Sequence, residues 1–392
     1  MTNFLSKRPL TMHQLYGDHV VFTSRPSYEK NPWLTTEEHQ ANMLTARELL
    51  IADIPVILHE ATIGDKTRTL MTAAGIELPS NYRTFKDADS YHQRLREAEE
   101  AGEKIFFQYT HNEEYVKPST YYVNKELFVA LNNKMKLADW TKGKFLPKRD
   151  VIHVSKLEAT LKDWHYPYVI KPGDDHPTAG GYGVMICYND QDREKALSRI
   201  QEAETDSDFI VEDYIKTEQN YCVQYAYSEA TGIQYIGASI QDTNEYGKYR
   251  GNTTAHHVPD QVIAAGREIM ENGVAAGYRG IAGFDLLVDD KGAVYAIDLN
   301  FRQNGSTSML IMDELLEGDY EKFFGAYANV SNEAFYARIL EEVTAGRLFP
   351  LAYYDGDYYE GQTVPSRFVG IWHGDKQDVE KHAQSFVEFN RP

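Results

Sequence analysis

Cysteine is nearly absent from this chain, with two in 392 residues, Cys187 and Cys222. Neither shows C-x-x-C or zinc spacing. Both lie in apolar or strand-like stretches and read as buried, reduced thiols, which argues against a disulfide framework and for a cytoplasmic setting. Long apolar runs are missing too, and the start, MTNFLSKRPLTMHQLYG, has no signal-peptide core, so no membrane attachment is expected. Basic residues are scarce: 40 Lys and Arg stand against 59 Asp and Glu, for a formal net charge of −19. Such a surface repels a nucleic-acid backbone, while a nucleotide held by a few well-placed cations or a metal ion stays open. There is no Walker A loop and no G-x-G-x-x-G fingerprint. Ser306 and Ser308 lack a G-x-S-x-G setting, and neither cysteine has an obvious partner histidine. Internal repeats and low-complexity tracts are also lacking.

What is present is a globular chain long enough for two or three packed lobes. In the first third, His19–Thr23, Ile54–Leu58 and Lys104–Gln108 read as strands. Thr36–Ala52 has helical spacing between the first two, with Thr35 or Thr36 as its cap. This order predicts a small α/β lobe. A helix is expected over Lys125–Trp140, a buried strand over Tyr168–Lys171, a helix from Asp190 to Ala203 and a strand over Phe209–Glu212. Two alternating strands follow over Tyr221–Ile240, then a helix over Asp260–Tyr278 and strands Gly280–Val288 and Ala293–Asn300. The tail from Met309 reads as helices and loops.

The last two strands carry the densest chemistry. With Asp289–Gly292 as the turn, Val288 pairs with Ala293 and Gly283 lies opposite Asp298. Asp285 is then a diagonal neighbour of Asp298, roughly 7–8 Å away. Asn300 shares that face, and Arg302 does if the strand continues. Phe284, Leu286, Ile297 and Leu299 point into a core. Aspartate is disfavoured within strands, so two on one face, with an amide and an arginine, call for a counter-charge such as magnesium. Gly283 would leave room for a phosphate. The alternative is an amphipathic hairpin with a solvated acidic face.

Lys171 ends a buried strand and precedes a loop rich in glycine, Pro172–Gly183. A lysine there can aim its charge at phosphate oxygens, and the loop, with Gly180 and Gly181, can turn backbone N–H groups towards them; a plain surface loop is the alternative. Phe209–Ile215 (FIVEDYI) is an apolar strand running into acidic and aromatic residues, an edge suited to an adenine ring; a simple buried strand is the alternative, and the better reading of this segment by itself. Lys248 and Arg250 could hold a substrate carboxylate or phosphate, with plain solvent exposure as the equal alternative. Gln303 and Asn304 are placed at an acceptor pocket. His256 and His257, being adjacent, would point opposite ways in a strand and read as loop or core residues.

Taken in order, the helix with Asn133-Lys134, the strand–Lys171–glycine loop, the V-E-D-Y-I segment and the D…D-x-N-x-R hairpin resemble the ATP-grasp superfamily over about residues 125–308. The resemblance implies an α/β (α+β) ATP-grasp fold, two α+β subdomains gripping ATP, behind a small pre-ATP-grasp lobe. The expected division is 1–120 for that lobe, 121–310 for the ATP-grasp domain (lid about 150–208), and 311–392 for a helical or irregular extension. It is closest to amino-acid and peptide ligases, including those of secondary metabolism and antibiotic biosynthesis. It implies that Lys134 and Lys171 contact the nucleotide phosphates and that Glu212, Asp213, Tyr214 and Ile215 bind adenine. Asn220 would contact the ribose, with Glu218 as rival. Asp285, Asp298 and Asn300 would hold Mg2+ or Mn2+, and Arg302 would stabilise an acyl phosphate. Aspartates stand where the family often has glutamates. A carboxylate would be phosphorylated by ATP and captured by an amine; a carrier-protein thiol is the alternative nucleophile, with Lys142, Lys144, Lys148 and Arg149 as its docking patch. A non-catalytic nucleotide-binding protein is the remaining reading. A homodimer is common in this superfamily.

Overall fold

The computed structural model describes residues 4–34, 37–217 and 219–391. Three sheets organise the chain. The first is parallel, with β1 (Val20–Thr23), β2 (Val56–His59), β3 (Tyr82–Phe85) and β4 (Lys104–Phe107) in the order β3-β2-β1-β4. Its strands β1 (VVFT) and β2 (VILH) are buried at every position, as expected of a parallel sheet covered on both faces, while edge strand β3 (YRTF) is only half-buried. The helical stretch expected over residues 36–52 is broken into Glu38–Leu44 and Leu49–Ala52. Glu37 caps the first piece through both carboxylate oxygens; Thr35 and Thr36 fall outside the described residues.

The second sheet is antiparallel: β5 (Arg149–His153), β6 (Tyr168–Pro172), β7 (Met185–Cys187) and β8 (Asp208–Asp213), ordered β5-β8-β6-β7. Strand alternation sorts its faces. Tyr168, Ile170, Phe209 and Val211 enter a core with Leu157, Ala196 and Ile200, leaving Lys171 and Glu212 on the other face.

The third sheet has eight strands: β9 (Asn220–Ser228), β10 (Gly232–Thr243), β11 (Tyr249–Thr254), β12 (Gly280–Val288), β13 (Val294–Asn300), β14 (Tyr320–Tyr327), β15 (Leu348–Tyr354) and β16 (Arg367–Gly374). Their order is β13-β12-β9-β10-β11-β14-β16-β15. Helix Asp260–Ala275 packs against β9 and β12, burying Val262, Ala265, Ile269 and Met270. The tail therefore differs from its reading as helices and loops: it supplies three strands that extend this sheet. In β15, LFPLAYY is apolar at every position and carries a proline, so it shows no alternation. Both faces are covered, and the ladder with β16 shifts between Pro350 and Ala352. No helix among the described residues is long and apolar enough to cross a membrane.

Candidate active site

A cleft of about 740 Å³ is lined by the second and third sheets and by loop and helix residues of the N-terminal part, among them Met43, Arg47, Gln108 and Tyr109. Each residue singled out from the sequence for nucleotide, metal or substrate contact lines it, except Glu218, which lies outside the described residues.

The floor is the β12–β13 hairpin, whose register differs from the simple count. Val288 pairs with Val294, and Ile297 is an extra, unopposed residue between the Asp285–Asp298 and Leu286–Ala296 pairs. The turn and this bulge each move the register by one, so the faces are kept but the partners change. Asp285 stands directly opposite Asp298, and Gly283 opposite Asn300. Ile297 lines the cleft instead of the core. Nor does Gly283 leave open space: a Cβ there would lie 1.7 Å from Asn304 Nδ2, so the asparagine amide sits over the glycine. The strand ends at Asn300, and Arg302 reaches the cleft from the bend beyond it.

Burial and the facing Asp298 push the Asp285 carboxyl up to about 7, while Gln241 Nε2 donates to its Oδ1 at 2.6 Å. Burial also raises Asp298, but contact with Lys134, helped by Arg302 and Lys171, brings it below the usual carboxylate range. Lys134 is itself lowered by burial, against the pull of Asp298. Its position comes from a break in the expected Lys125–Trp140 helix. Asn133 has extended backbone, accepts from Met135 N at 2.7 Å and starts the short turn Lys134–Lys136. The helix is thus split into Lys125–Asn132 and Leu137–Thr141, and Lys134 turns inward.

Lys171 contacts Glu212 and donates to Ile297 O at 2.9 Å, tying the second sheet to the hairpin. Asp213, Tyr214 and Ile215 follow Glu212 along the cleft wall, and Asn220 begins the next strand with its Nδ2 on Gln241 Oε1 at 3.2 Å. The glycine loop is held on several sides. Arg302 Nη2 donates to Thr178 O, and its Nη1 to Asn132 Oδ1, both at 2.9 Å. Asn133 Nδ2 reaches Asp175 at 2.7 Å and Trp33 Nε1 reaches Asp174 at 2.8 Å. Gly181 has φ +74°, and a Cβ there would lie 2.3 Å from Gly247 O, so only glycine lets the loop seat on the 244–248 turn.

Lys248 lies 5.5 Å from the Tyr182 ring centre. Arg250 is paired with Asp242 at 2.7 Å. Gln303 Nε2 donates to Tyr16 Oη at 2.9 Å, and Gln108 Nε2 to Gln303 O at 3.2 Å. Among the described residues, the side-chain oxygens of both glutamines are buried without a hydrogen-bond partner. Cys222 is buried beneath Asp285, and burial raises its thiol well above the ordinary value, which makes it a poor nucleophile at neutral pH. Of the basic residues expected to form a patch, Lys144 is paired with Glu268 at 2.7 Å, Lys148 lies 5.0 Å from the Trp164 ring and Arg149 donates to Lys134 O at 3.0 Å. His256 and His257 follow β11 and line a separate hollow. Several cleft residues escaped sequence reading, among them Arg47, Gln108, Gln241 and Asn252. They carry no local motif and meet only through the fold.

The donor set suits a hard divalent cation: two facing carboxylates and an amide oxygen, with Lys134 standing against one carboxylate. Among the described residues no group of three or more His, Cys, Asp and Glu side chains is arranged to hold a metal alone. Further ligands must then come from the Asn300 amide, water and substrate oxygens.

Three models of one family match consecutive stretches. They are the L-aspartate–L-methionine ligase N-terminal domain over residues 11–129, its ATP-grasp domain over 147–300 and its C-terminal domain over 314–391. Among solved structures, an N5-carboxyaminoimidazole ribonucleotide synthetase bound to ADP aligns with a TM-score of 0.60 at 11% identity, covering 99% of this chain and 98% of that one. An L-amino acid ligase from Bacillus licheniformis gives 0.52 at 13% identity, covering 93% and 96%. A phosphoribosylamine–glycine ligase from Thermotoga maritima gives 0.52 at 13%, covering 86% and 96%. At these identities the structures speak for the fold; the matched models speak for the family. The chain belongs to the ATP-grasp superfamily and is an ATP-dependent ligase of its carboxylate–amine type.

Proposed function

We propose that this enzyme joins L-aspartate to the amino group of L-methionine, forming a dipeptide with conversion of ATP to ADP and phosphate. The observation that carries the reading is that the three successive matches to one ligase family meet around a single cleft. The reaction balances in two steps. An aspartate carboxylate oxygen attacks the γ-phosphorus, and the bond to the ADP oxygen breaks. The methionine nitrogen then attacks the acyl carbon, phosphate leaves with the C–O bonding pair, and the amine gives up a proton.

The side chains in the cleft fit the positioning and charge neutralisation this chemistry needs. Lys134 and Lys171 balance the phosphate charge, and the Gly180–Gly181 turn covers it. Glu212, Asp213, Tyr214 and Ile215 provide the adenine edge, and Asn220 stands where the ribose would lie. Asp285, Asp298 and Asn300 would hold Mg2+, which when bound neutralises charge on the transferring phosphoryl group. Lys134, now on Asp298, would be free to take a phosphate oxygen. Arg302, fixed by Asn132 and Thr178, stabilises the acyl phosphate and the tetrahedral species. The partnerless oxygens of Gln108 and Gln303 suit the ammonium group of a substrate.

Purified enzyme is to be supplied with ATP, Mg2+ and pairs of amino acids, with ADP measured and products weighed by mass spectrometry. The reading predicts that aspartate plus methionine gives the fastest ADP release and the aspartyl-methionine mass. ADP release with no peptide, or faster coupling of an unrelated pair, overturns the assignment.

A further inference from the structure

Resting on that reading, we infer that an apolar alcove over Gly325, with the Arg47 guanidinium at its edge, is the subsite for the amine-contributing amino acid. Of the other cleft cations, Lys134 is engaged with Asp298, Lys171 with Glu212, Arg302 with the glycine loop and Arg250 with Asp242, and Lys248 lies by the Tyr182 ring. Arg47 is different. It is only 8% exposed yet lines the cleft. Its Nε donates to one oxygen of Glu48 at 2.5 Å, while Nη2, also 2.5 Å from that oxygen, is buried without a hydrogen-bond partner among the described residues. A guanidinium fixed by one hydrogen bond and with donors left unpaired is pre-organised for a carboxylate.

The surroundings supply the rest of an amino-acid site. Tyr249 lies near Arg47. A Cβ on Gly305 would come 2.3 Å from the Tyr249 hydroxyl and 3.5 Å from Phe323, so these groups converge. Phe323 and Gly325 share one face of β14, and Gly325 pairs with Val369 of β16. The Glu38–Leu44 helix packs on β15 and β16 and brings Met43 and Leu44 to the cleft. Gly325 is the informative residue. Glycine within a strand costs stability, and here neither backbone nor packing demands it. Its φ is not positive, and an added Cβ would find its nearest neighbour, Val369 Cγ2, at 3.7 Å. Exposed on β14 and lining the cleft, the glycine leaves room there. A long, unbranched apolar side chain laid over Gly325 would meet Met43, Phe323 and Val369, with its α-carboxylate on Arg47 and its amine free to face the acyl group.

The test separates the two substrates. Donor activation is read with hydroxylamine replacing the amine, as aspartyl hydroxamate; acceptor use is read as dipeptide. Gly325→Leu fills the alcove, so it should raise KM for L-methionine by at least about tenfold and move preference towards L-alanine. Arg47→Met with Glu48→Gln, which leaves no buried charge unpaired, should raise KM for L-methionine at least about tenfold with the KM for aspartate in the hydroxamate assay within about twofold. If Gly325→Leu leaves the methionine-to-alanine preference unchanged, or if the Arg47 variant raises the aspartate KM instead, the subsite is wrong while ligation stands. If the unaltered enzyme forms neither hydroxamate nor dipeptide, the proposed reaction falls, and this subsite with it.

Discussion

Replacing Asp285 with asparagine should stabilise the cation-free enzyme above neutral pH while destroying its activity. In the folded protein the Asp285 carboxyl titrates at about 7, against 3.8 for an ordinary aspartate. Burial is the larger cause and the charge of Asp298 the second. Between these values the folded chain binds a proton that the unfolded chain has released, so stability falls as pH rises from about 4 to about 7 and the full penalty stands above that. At about 1.36 kcal/mol per pH unit the gap corresponds to a ceiling of about 4 kcal/mol, and relaxation around the pair brings the expected effect to about 2–4 kcal/mol. Asparagine keeps the acceptor for Gln241 and the side-chain volume, and removes only the charge. Thermal melts of both proteins from pH 4.5 to 8.5 should therefore nearly coincide at the acid end and separate by several degrees at pH 8, with Asp285→Asn the more stable. Added Mg2+ and ADP should raise the melting temperature of the unaltered enzyme and close the gap, since a ligand stabilises only the form that binds it. Equal melting temperatures at pH 8 without added metal, or full ATP turnover by the variant, would refute the reasoning.

Arg302→Ala removes the bonds to Thr178 O and Asn132; turnover should fall by about 10²–10³-fold, and limited proteolysis should cut faster within residues 174–183. Gly181→Ala forces a left-handed backbone on alanine and drives its Cβ into Gly247 O; KM for ATP should rise by about tenfold, with the amino-acid KM values little changed. Lys171→Met leaves Glu212 buried without its ion-pair partner; both ATP affinity and melting temperature should drop, whereas Lys171→Met with Glu212→Gln should recover stability but not ATP affinity, as titration calorimetry would show.

The parts of the site legible in the sequence lie on continuous segments with strong periodicity. Lys171 and Glu212 stand out as charged residues ending buried apolar strands, but the face each takes follows from the fold, with Tyr168, Ile170, Phe209 and Val211 in the core. The two aspartates were assigned to one face because a register error of two preserves strand parity. Their true partners were not legible: the Ile297 bulge has no glycine or proline to announce it. The turn at Asn133 was hidden inside a helical pattern, since only its capping bond and its tie to Asp175 show why Lys134 turns inward. Arg47 and Gln108 left no sequence signal at all. Gln108 follows a parallel strand and Arg47 lies between two short helices, and they reach the cleft through chain topology, not spacing. Among the missed tail strands, β15 shows no alternation because it is buried on both faces.

The central claim, that the Asp285–Asp298 hairpin with Lys134 and Lys171 forms the site of ATP-driven ligation, is tested most directly by ADP release. The enzyme and its Asp298→Ala variant are to be compared in Mg2+ and ATP, with and without aspartate and methionine. The account predicts amino-acid-stimulated ADP release by the unaltered enzyme, and its loss in a variant that keeps its circular-dichroism spectrum. Undiminished release from folded Asp298→Ala would contradict it.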